Sequence, residues 1–308
     1  MITTTSFKAI IAAQRRHPTE WLWRQCLSIR SQFCEAVVAA GYLSWEQMVS
    51  AACRYRLGAS RLGGVIFWQI DQEERVHDGK VMYYQPDCHR DKGRNPTWGS
   101  ALLRRRNPFP DSPHETSHCF FGAHLISPLN ERLFRPPLTP PRSSFARLLP
   151  KGRKNSGGET AIAVMEGSRY PQGKNSADEH FTPLHHREGQ GGRSSIAVVE
   201  AEKTAVILSE LYPQYVWLAA GGLGEVQVDK FRPLRGLKVI LFPDTDPEGV
   251  AYKRWYEAAQ RVMQQPFWED SPPIRVSNVL ERHASPEQKA RKIDLVDFLF
   301  DRRTDEKT

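Results

Sequence analysis

Cysteine is scarce in this sequence and never occurs as a Cys-x-x-Cys pair. Structural zinc ribbons use such pairs to supply their thiolate ligands, so the sequence encodes no zinc ribbon. An odd and scattered set of cysteines is typical of reduced thiols in a cytoplasm rather than of a disulfide framework. The five residues are Cys26, Cys34, Cys53, Cys88 and Cys119.

Long apolar runs are missing as well. A helix that spans a bilayer needs about 20 consecutive apolar residues, and no stretch of the sequence approaches that length. The first residues, Met1 to Arg16, lack the apolar region and the cleavage site of a secretory signal peptide. We therefore expect a cytoplasmic protein without a membrane partner.

Acidic residues are outnumbered by basic ones. The 308 residues include 43 Lys and Arg against 35 Asp and Glu, which gives a net charge of +8. This length allows two domains with separate cores. A basic balance favours an anionic partner, and nucleic acid is the first candidate. Simple solubility is the alternative explanation, and net charge alone does not separate the two.

The segment from Ile196 to Gly249 carries the clearest pattern of the chain. An apolar run at 196–199 is followed by apolar residues with helical spacing over 201–211. Two more apolar runs follow, at 215–220 and 238–242. Strands that are apolar throughout and alternate with helices indicate a parallel sheet that is covered on both faces. We therefore predict an α/β, Rossmann-like fold with a mostly parallel sheet.

Carboxylates follow two of these predicted strands. Glu200 comes directly after the first, and Asp244 and Asp246 follow the third. Ligands of such sheets bind beyond the carboxyl ends of the strands. Three carboxylates gathered there repel one another unless a cation lies among them. Because Mg2+ (or Mn2+) prefers oxygen ligands and phosphate, the pattern predicts a metal-dependent site that handles phosphates.

At these positions the chain resembles the Toprim domain of bacterial-type primases, topoisomerases and some nucleases. The resemblance is carried by Val-Glu-Ala at 199–201 and by Asp-Thr-Asp-Pro-Glu-Gly at 244–249. It extends over about residues 194 to 302. It implies that Asp244 and Asp246 bind one or two Mg2+ ions, and that Glu200 is a further ligand or the general acid/base.

The same resemblance implies supporting roles for other residues. Lys203, one turn along the predicted helix, is expected to meet a phosphate. Asp294 and Asp297 match the acidic tail of many such domains and are expected in the outer shell of the site. Ala201 departs from the pattern, because primases commonly have Gly there. The glycines predicted to contact the bound cofactor are Gly221, Gly222 and Gly249.

The part ahead of this segment predicts a smaller α+β domain. Residues 1–57 show apolar faces with helical spacing, and Ser44 is a predicted helix N-cap. Two β-rich runs, 65–71 and 80–84, indicate an antiparallel hairpin. Basic residues follow with Trp98 among them, a combination that neutralises phosphates and stacks on unpaired bases. The alternative is a solvated hairpin with Trp98 in the core. The predicted nucleic-acid-binding residues are Lys80, Lys92, Arg94, Arg104, Arg105 and Arg106.

This N-terminal part resembles the small domain that precedes Toprim in bacterial-type primase cores. It is still more similar to an uncharacterised family, domain of unknown function 6371, found with Toprim-like segments in mobile-element proteins. Relatives often begin with a cysteine-rich zinc module, which this sequence lacks. The resemblance implies single-stranded DNA or RNA, nucleotides and a replicative helicase as partners. The matching residues lie at 55–58, 65–71, 79–82 and 120–125.

Between 133 and 193 the composition shifts to Pro, Gly, Ser and basic residues, which predicts a largely disordered linker or insertion. A second strand-like run there ends in Glu166. Gly and Pro follow Glu166 and break a helix, whereas good helix formers follow Glu200. We therefore predict an N-terminal domain at 1–132, the linker, a Toprim-like domain at 194–302 and a tail at 303–308.

Primase-like nucleotidyl transfer in the replication of a mobile element is the function that these patterns favour. A Toprim-type nuclease is the alternative enzyme, and a non-catalytic nucleic-acid-binding protein with a vestigial acidic site is the alternative outside enzymes. A topoisomerase is disfavoured because no tyrosine-bearing cleavage domain is left over in this length. Phosphatases of the haloacid dehalogenase type also use Asp-x-Asp, but they require Thr or Val where this sequence has Glu248.

Overall fold

The structure is a computed structural model that describes residues 31–98, 118–126 and 195–305, with side chains up to Asp301. All of these residues belong to one compact unit. Within them, no helix is both long and apolar enough to cross a membrane. The predictions for Arg104 to Arg106, for Glu166 and for the segment 133–193 concern residues outside the described ranges.

Two helices begin the described part of the chain. Helix α1 spans Gln32–Ala39 and helix α2 spans Trp45–Arg54. The hydroxyl of Ser44 accepts a hydrogen bond from the N–H of Gln47, and the Gln47 side chain accepts one from the N–H of Ser44. This reciprocal arrangement is a capping box, so the predicted cap of α2 is confirmed.

An antiparallel sheet follows, in the order β1-β2-β3-β4. It contains the predicted hairpin, which is formed by β2 and β3. Strand β3 begins earlier than the sequence indicated, so that Gly79 lies inside the strand opposite Trp68. A Cβ atom on Gly79 would lie 2.7 Å from the Trp68 ring, so glycine is needed for the indole to pack on the strand. The strands are β1 Gly58–Ala59, β2 Val65–Ile70, β3 Val76–Met82 and β4 Thr97–Trp98.

The predicted parallel sheet is also present, with the strand order β6-β5-β7-β8. Each neighbouring pair in this sheet is parallel. The predicted helix between the first two strands is α3. The apolar runs therefore located the first three strands of the sheet within one residue of their observed ends. The elements are β5 Ser195–Val199, α3 Glu202–Leu211, β6 Tyr215–Ala219, β7 Val239–Phe242 and β8 Arg275–Val276.

Four more helices complete the described chain. They are α4 Val250–Met263, α5 Val279–His283, α6 Pro286–Arg291 and α7 Leu295–Asp305. Helix α7 extends into the tail predicted from residue 303. Short 3-10 segments lie at Ala123–Ile126, Val228–Leu234 and Pro266–Trp268.

Phe121 joins the N-terminal elements to the parallel sheet. It pairs antiparallel with Ala219 at the edge of β6. The Tyr55 ring stacks on Phe121 with centroids 5.0 Å apart, and its hydroxyl donates to the carbonyl of Trp217 at 2.8 Å. Gly122 has a φ of +86°, and a Cβ there would lie 3.0 Å from the Tyr55 ring. This junction brings strand β3 close to the first turn of α3.

Candidate functional site

Glu200 and Asp244 lie at the same edge of the parallel sheet. Glu200 directly follows β5 and Asp244 closely follows β7, and these neighbouring strands pair Val199 with Phe242. Burial raises the pKa of Asp244 well above its ordinary value, and the negative charge of Glu200 raises it further. Burial also raises the pKa of Glu200. The surroundings therefore penalise two ionised carboxylates, and a bound cation would relieve that penalty.

The loop after β6 holds Glu200 in place. The N–H of Gly221 donates to the Glu200 carbonyl at 2.9 Å. The N–H of Leu223 donates to the Glu200 carboxylate, and this bond counteracts part of the effect of burial on its pKa. Gly221 has a φ of +95°, a conformation that favours glycine. The structure thus gives Gly221 a conformational role beside the site.

Lys80 reaches this site from the antiparallel sheet. Its ammonium donates to Glu202 Oε1 at 3.0 Å, to Glu202 Oε2 at 3.1 Å and to the carbonyl of Gly221 at 2.8 Å. The side chain is 11% exposed. The ammonium has three N–H groups, and these three contacts occupy them. The sequence placed Lys80 on a nucleic-acid-binding surface, and the structure places it inside, because β3 packs beside the buried first turn of α3.

Asp246 caps helix α4. Its Oδ1 accepts hydrogen bonds from the N–H of Glu248 at 3.1 Å and of Val250 at 3.0 Å, and its Oδ2 accepts one from Ala251 at 2.8 Å. Burial raises the pKa of Asp246, but these three bonds outweigh it and lower the pKa below its ordinary value. Gly249 occupies the N-cap position of α4 with a φ of +65°. Asp246 is therefore directed to α4 and uses most of its acceptor capacity there.

Lys203 is paired within the protein. Its ammonium lies 3.3 Å from Asp294 Oδ2 and 3.4 Å from Asp297 Oδ1. Burial lowers the pKa of Lys203, but the charges of these two aspartates outweigh it and keep the pKa well above its ordinary value. Thr204 donates a further hydrogen bond to Asp294 at 2.5 Å. The structure thus assigns Lys203 an internal ion pair, whereas the sequence predicted a contact with phosphate.

Glu200 and Asp244 together form what we call the acidic edge of the parallel sheet. Among the described residues, no group of three His, Cys, Asp or Glu side chains is placed to hold a metal ion. Glu200 and Asp244 remain as a pair of oxygen ligands. Mg2+ typically takes one or two carboxylates from the protein and completes its shell with water and phosphate oxygens. The two carboxylates of Glu200 and Asp244 match the number that Mg2+ typically takes from a protein.

Two of the predicted nucleic-acid-binding residues, Lys92 and Arg94, lie near the antiparallel sheet and are exposed. The Arg94 guanidinium lies over the Tyr83 ring at 4.5 Å and 3.7 Å from the carboxylate of Asp91. Trp98 is half-buried and stacks on His118, with centroids 4.4 Å apart. Lys92 and Arg94 thus remain candidates for a nucleic-acid contact, whereas Lys80 does not.

Comparison with known families matches the one described as a domain of unknown function (DUF6371) over residues 31–133 and 185–245. The two matched segments cover more than half of the 308 residues. The chain belongs to the DUF6371 family. No curated protein and no solved structure matched the chain.

The DUF6371 segments contain much of the site. They include Lys80, the Glu200 carboxylate and Asp244, and they end at residue 245, before Asp246 and helix α4. Sequence reasoning missed Glu202, the partner of Lys80. The structure shows why Glu202 needs a partner, because residues 202–209 of α3 are all buried and a buried charged residue must be compensated. Nothing in the sequence indicated which lysine that partner would be.

Proposed function

We propose that this DUF6371 chain contains a Toprim-like domain and carries out Mg2+-dependent phosphodiester chemistry on nucleic acid. Primase-like nucleotidyl transfer is the first candidate reaction, and phosphodiester cleavage is the second. The observation that supports the proposal is the Glu200 and Asp244 pair at the carboxyl ends of the adjacent strands β5 and β7. Burial raises the pKa of each carboxyl group, and a bound cation would relieve the cost of ionising them.

Glu200 and Asp244 would hold the metal ion. When bound, Mg2+ (or Mn2+) would offset negative charge on the phosphate at which the reaction takes place. Where Glu200 does not bind the metal ion, it would act as the general acid/base that the Toprim resemblance implies. Lys80 would keep the Gly221 loop, and through it Glu200, in position. Asp246 would fix the start of α4 and thereby the loop that carries Asp244.

A non-catalytic nucleic-acid-binding protein is the second candidate. It is favoured by the internal contacts of two residues that the Toprim resemblance assigns to the reaction. Asp246 is a helix cap and Lys203 is an ion-pair partner. In this alternative the acidic edge supports the fold, and any nucleic acid binds elsewhere on the basic surface.

The test is an assay that scores synthesis and degradation together. The full chain would be incubated with a labelled single-stranded template, nucleotides and Mg2+ or Mn2+. Asp244→Asn removes the proposed ligand without changing its size, and Asp229→Asn is the matched control, because Asp229 is 83% exposed and pairs with the exposed Arg232.

Each candidate predicts a different result. Nucleotidyl transfer is supported if the wild type and Asp229→Asn make extended labelled products and Asp244→Asn makes none. Shortened products with the same dependence support a nuclease. Template binding without either product, unchanged in Asp244→Asn, refutes the catalytic proposal and favours the binding protein.

A further inference from the structure

Thr245 lies between the two aspartates that follow strand β7, and it is buried. Its hydroxyl donates a hydrogen bond to Glu281 Oε1 at 2.7 Å. Glu281 belongs to helix α5 and lies 36 residues further along the chain. The N–H of Thr245 donates to a second remote group, the carbonyl of Ile293, at 3.2 Å. The loop that carries Asp244 is therefore bound at two points to the C-terminal part of the described chain.

Glu281 is itself held in place by Lys289 on helix α6. The Lys289 ammonium donates to Glu281 Oε2 at 3.2 Å and to the carbonyl of Glu281 at 2.8 Å. One carboxylate oxygen of Glu281 thus bonds Lys289, while the other accepts from Thr245. A rotation of the Glu281 side chain would break contacts with both partners, and the bond to an ammonium is among the stronger hydrogen bonds. Glu281 therefore presents a fixed acceptor to Thr245.

The Asp244 carboxylate has no comparable support of its own. Among the described residues, no hydrogen bond to this carboxylate is present. Burial and the charge of Glu200 disfavour its ionised form. Because like charges repel, a carboxylate that no hydrogen bond holds tends to turn away from Glu200. The direction of the Asp244 side chain therefore depends on the backbone that carries it, and Thr245 fixes that backbone directly after Asp244.

We propose that Glu281 is a positioning residue of the metal site. It acts through Thr245, whose bonded hydroxyl keeps the Asp244 carboxylate beside Glu200, so that both carboxylates can bind one cation. Groups behind the ligands of a metal site orient those ligands and so raise the affinity for the metal. The inference rests on the proposed function, because it assumes that Asp244 binds Mg2+. The segments matched by DUF6371 end at residue 245, so Glu281 lies outside them.

The experiment measures the Kd of Mg2+ for the full chain by isothermal titration calorimetry, at a temperature where circular dichroism shows every variant to be folded. Thr245→Val removes the hydroxyl and keeps the shape of the side chain, whereas Glu281→Ala removes the acceptor. Thr245→Ser keeps the hydroxyl and is the conservative control. Glu269→Ala is the matched control for Glu281→Ala, because Glu269 is exposed and lies in the segment between α4 and β8.

Loss of the contact should weaken the binding of Mg2+. Thr245→Val and Glu281→Ala should each raise the Kd about tenfold, the lower end of the effect of such supporting groups. Thr245→Ser and Glu269→Ala should bind Mg2+ as the wild type does. The double variant Thr245→Val/Glu281→Ala should bind no more weakly than either single variant, because both changes remove the same contact. A contact that only attaches α5 to the sheet would instead lower the Tm without Mg2+ and leave the Kd unchanged.

Three outcomes would overturn the proposal. An unchanged Kd in both single variants would limit the contact to the attachment of α5 and leave the proposed function intact. Effects that add in the double variant would show that Glu281 acts by a route other than Thr245. A wild type that binds no Mg2+ would refute both this inference and the proposed metal site. If Glu281→Ala does not fold, Thr245→Val tests the same contact from the other side.

Discussion

Asp244 and Asp246 are separated by one residue, yet the structure predicts that asparagine at the two positions changes stability in opposite directions. Asp244 lies where burial and the charge of Glu200 disfavour its ionised form. Asp246 lies where three backbone N–H groups favour the ionised form. The contrast separates a carboxylate whose charge the surroundings disfavour from one whose charge stabilises the fold.

Asp244→Asn should stabilise the metal-free protein near neutral pH. Because the pKa of Asp244 is raised on folding, its favourable contribution is fully present below the unfolded pKa of about 4 and is lost as the pH rises through the folded pKa. Above the unfolded pKa, folding must either protonate this carboxyl group or bury its charge, and both cost stability; an uncharged amide of the same size removes that cost. The gain should disappear at pH values below about 4.

Asp246→Asn should destabilise the protein. The amide oxygen can keep the two bonds that Oδ1 accepts from Glu248 and Val250, but an NH2 group replaces Oδ2 and faces the N–H of Ala251. The unsatisfied N–H and the lost charge at a helix N-terminus together cost about 2 kcal/mol. For a protein of this size that lowers the Tm by about 4–8 °C. The loss should shrink at acid pH, because a carboxyl group with a lowered pKa stabilises only while it is ionised.

The assay is a set of melting curves for the wild type and both single variants, with and without Mg2+. Magnesium at about 100 times its Kd should stabilise the wild type by about 2.7 kcal/mol. Without Mg2+, Asp246→Asn should melt at a lower temperature than the wild type, and it should keep most of the stabilisation by Mg2+. Asp244→Asn should melt at a higher temperature without Mg2+ and should lose that stabilisation. A full Mg2+ response in Asp244→Asn, or equal destabilisation by both variants, would refute the reasoning.

Other contacts of the described residues make further predictions. Lys80→Met leaves Glu202 buried without its cationic partner, so it should lower the free energy of unfolding in urea by about 3–5 kcal/mol. The double variant Lys80→Met/Glu202→Met should recover most of that loss, because it removes the unpaired charge as well. Burial raises the pKa of Asp71, but hydrogen bonds outweigh it and lower the pKa to about 2. Asp71→Asn should therefore lower the free energy of unfolding by about 2 kcal/mol at neutral pH, and by less as the pH falls towards 2. Urea titrations at several pH values measure this difference. Gly221→Ala should cost roughly 1 kcal/mol because of its positive φ, whereas Gly224→Ala, with nothing within 4 Å of its Cβ, should be neutral in the same assay.

The secondary structure of the described regions follows closely from local pattern. The apolar runs of β5, β6 and β7 appear where predicted, and the capping box at Ser44 is present. These features depend on residues within a few positions of one another, since strand burial follows from an unbroken apolar run and a cap needs only the next turn. One glycine led to a wrong strand boundary in the sequence prediction. Gly79 indicated the start of a strand, but its role is to make room for Trp68 within the strand.

The candidate site was only half determined by sequence. The positions of Glu200 and Asp244 at one sheet edge follow from strand periodicity and the rule for parallel sheets, and the structure brings these two together. The directions of Lys80, Lys203 and Asp246 did not follow. The charged end of a long side chain lies where a partner compensates the cost of its burial. That partner can be far away in sequence, as Glu202 is 122 residues from Lys80. The amino-acid sequence by itself therefore determined which strands carry carboxylates to the edge, because backbone periodicity is local. Tertiary packing alone decided which of the charged groups face the site and which neutralise one another inside, because the cost of burying a charge depends on what remote elements place beside it.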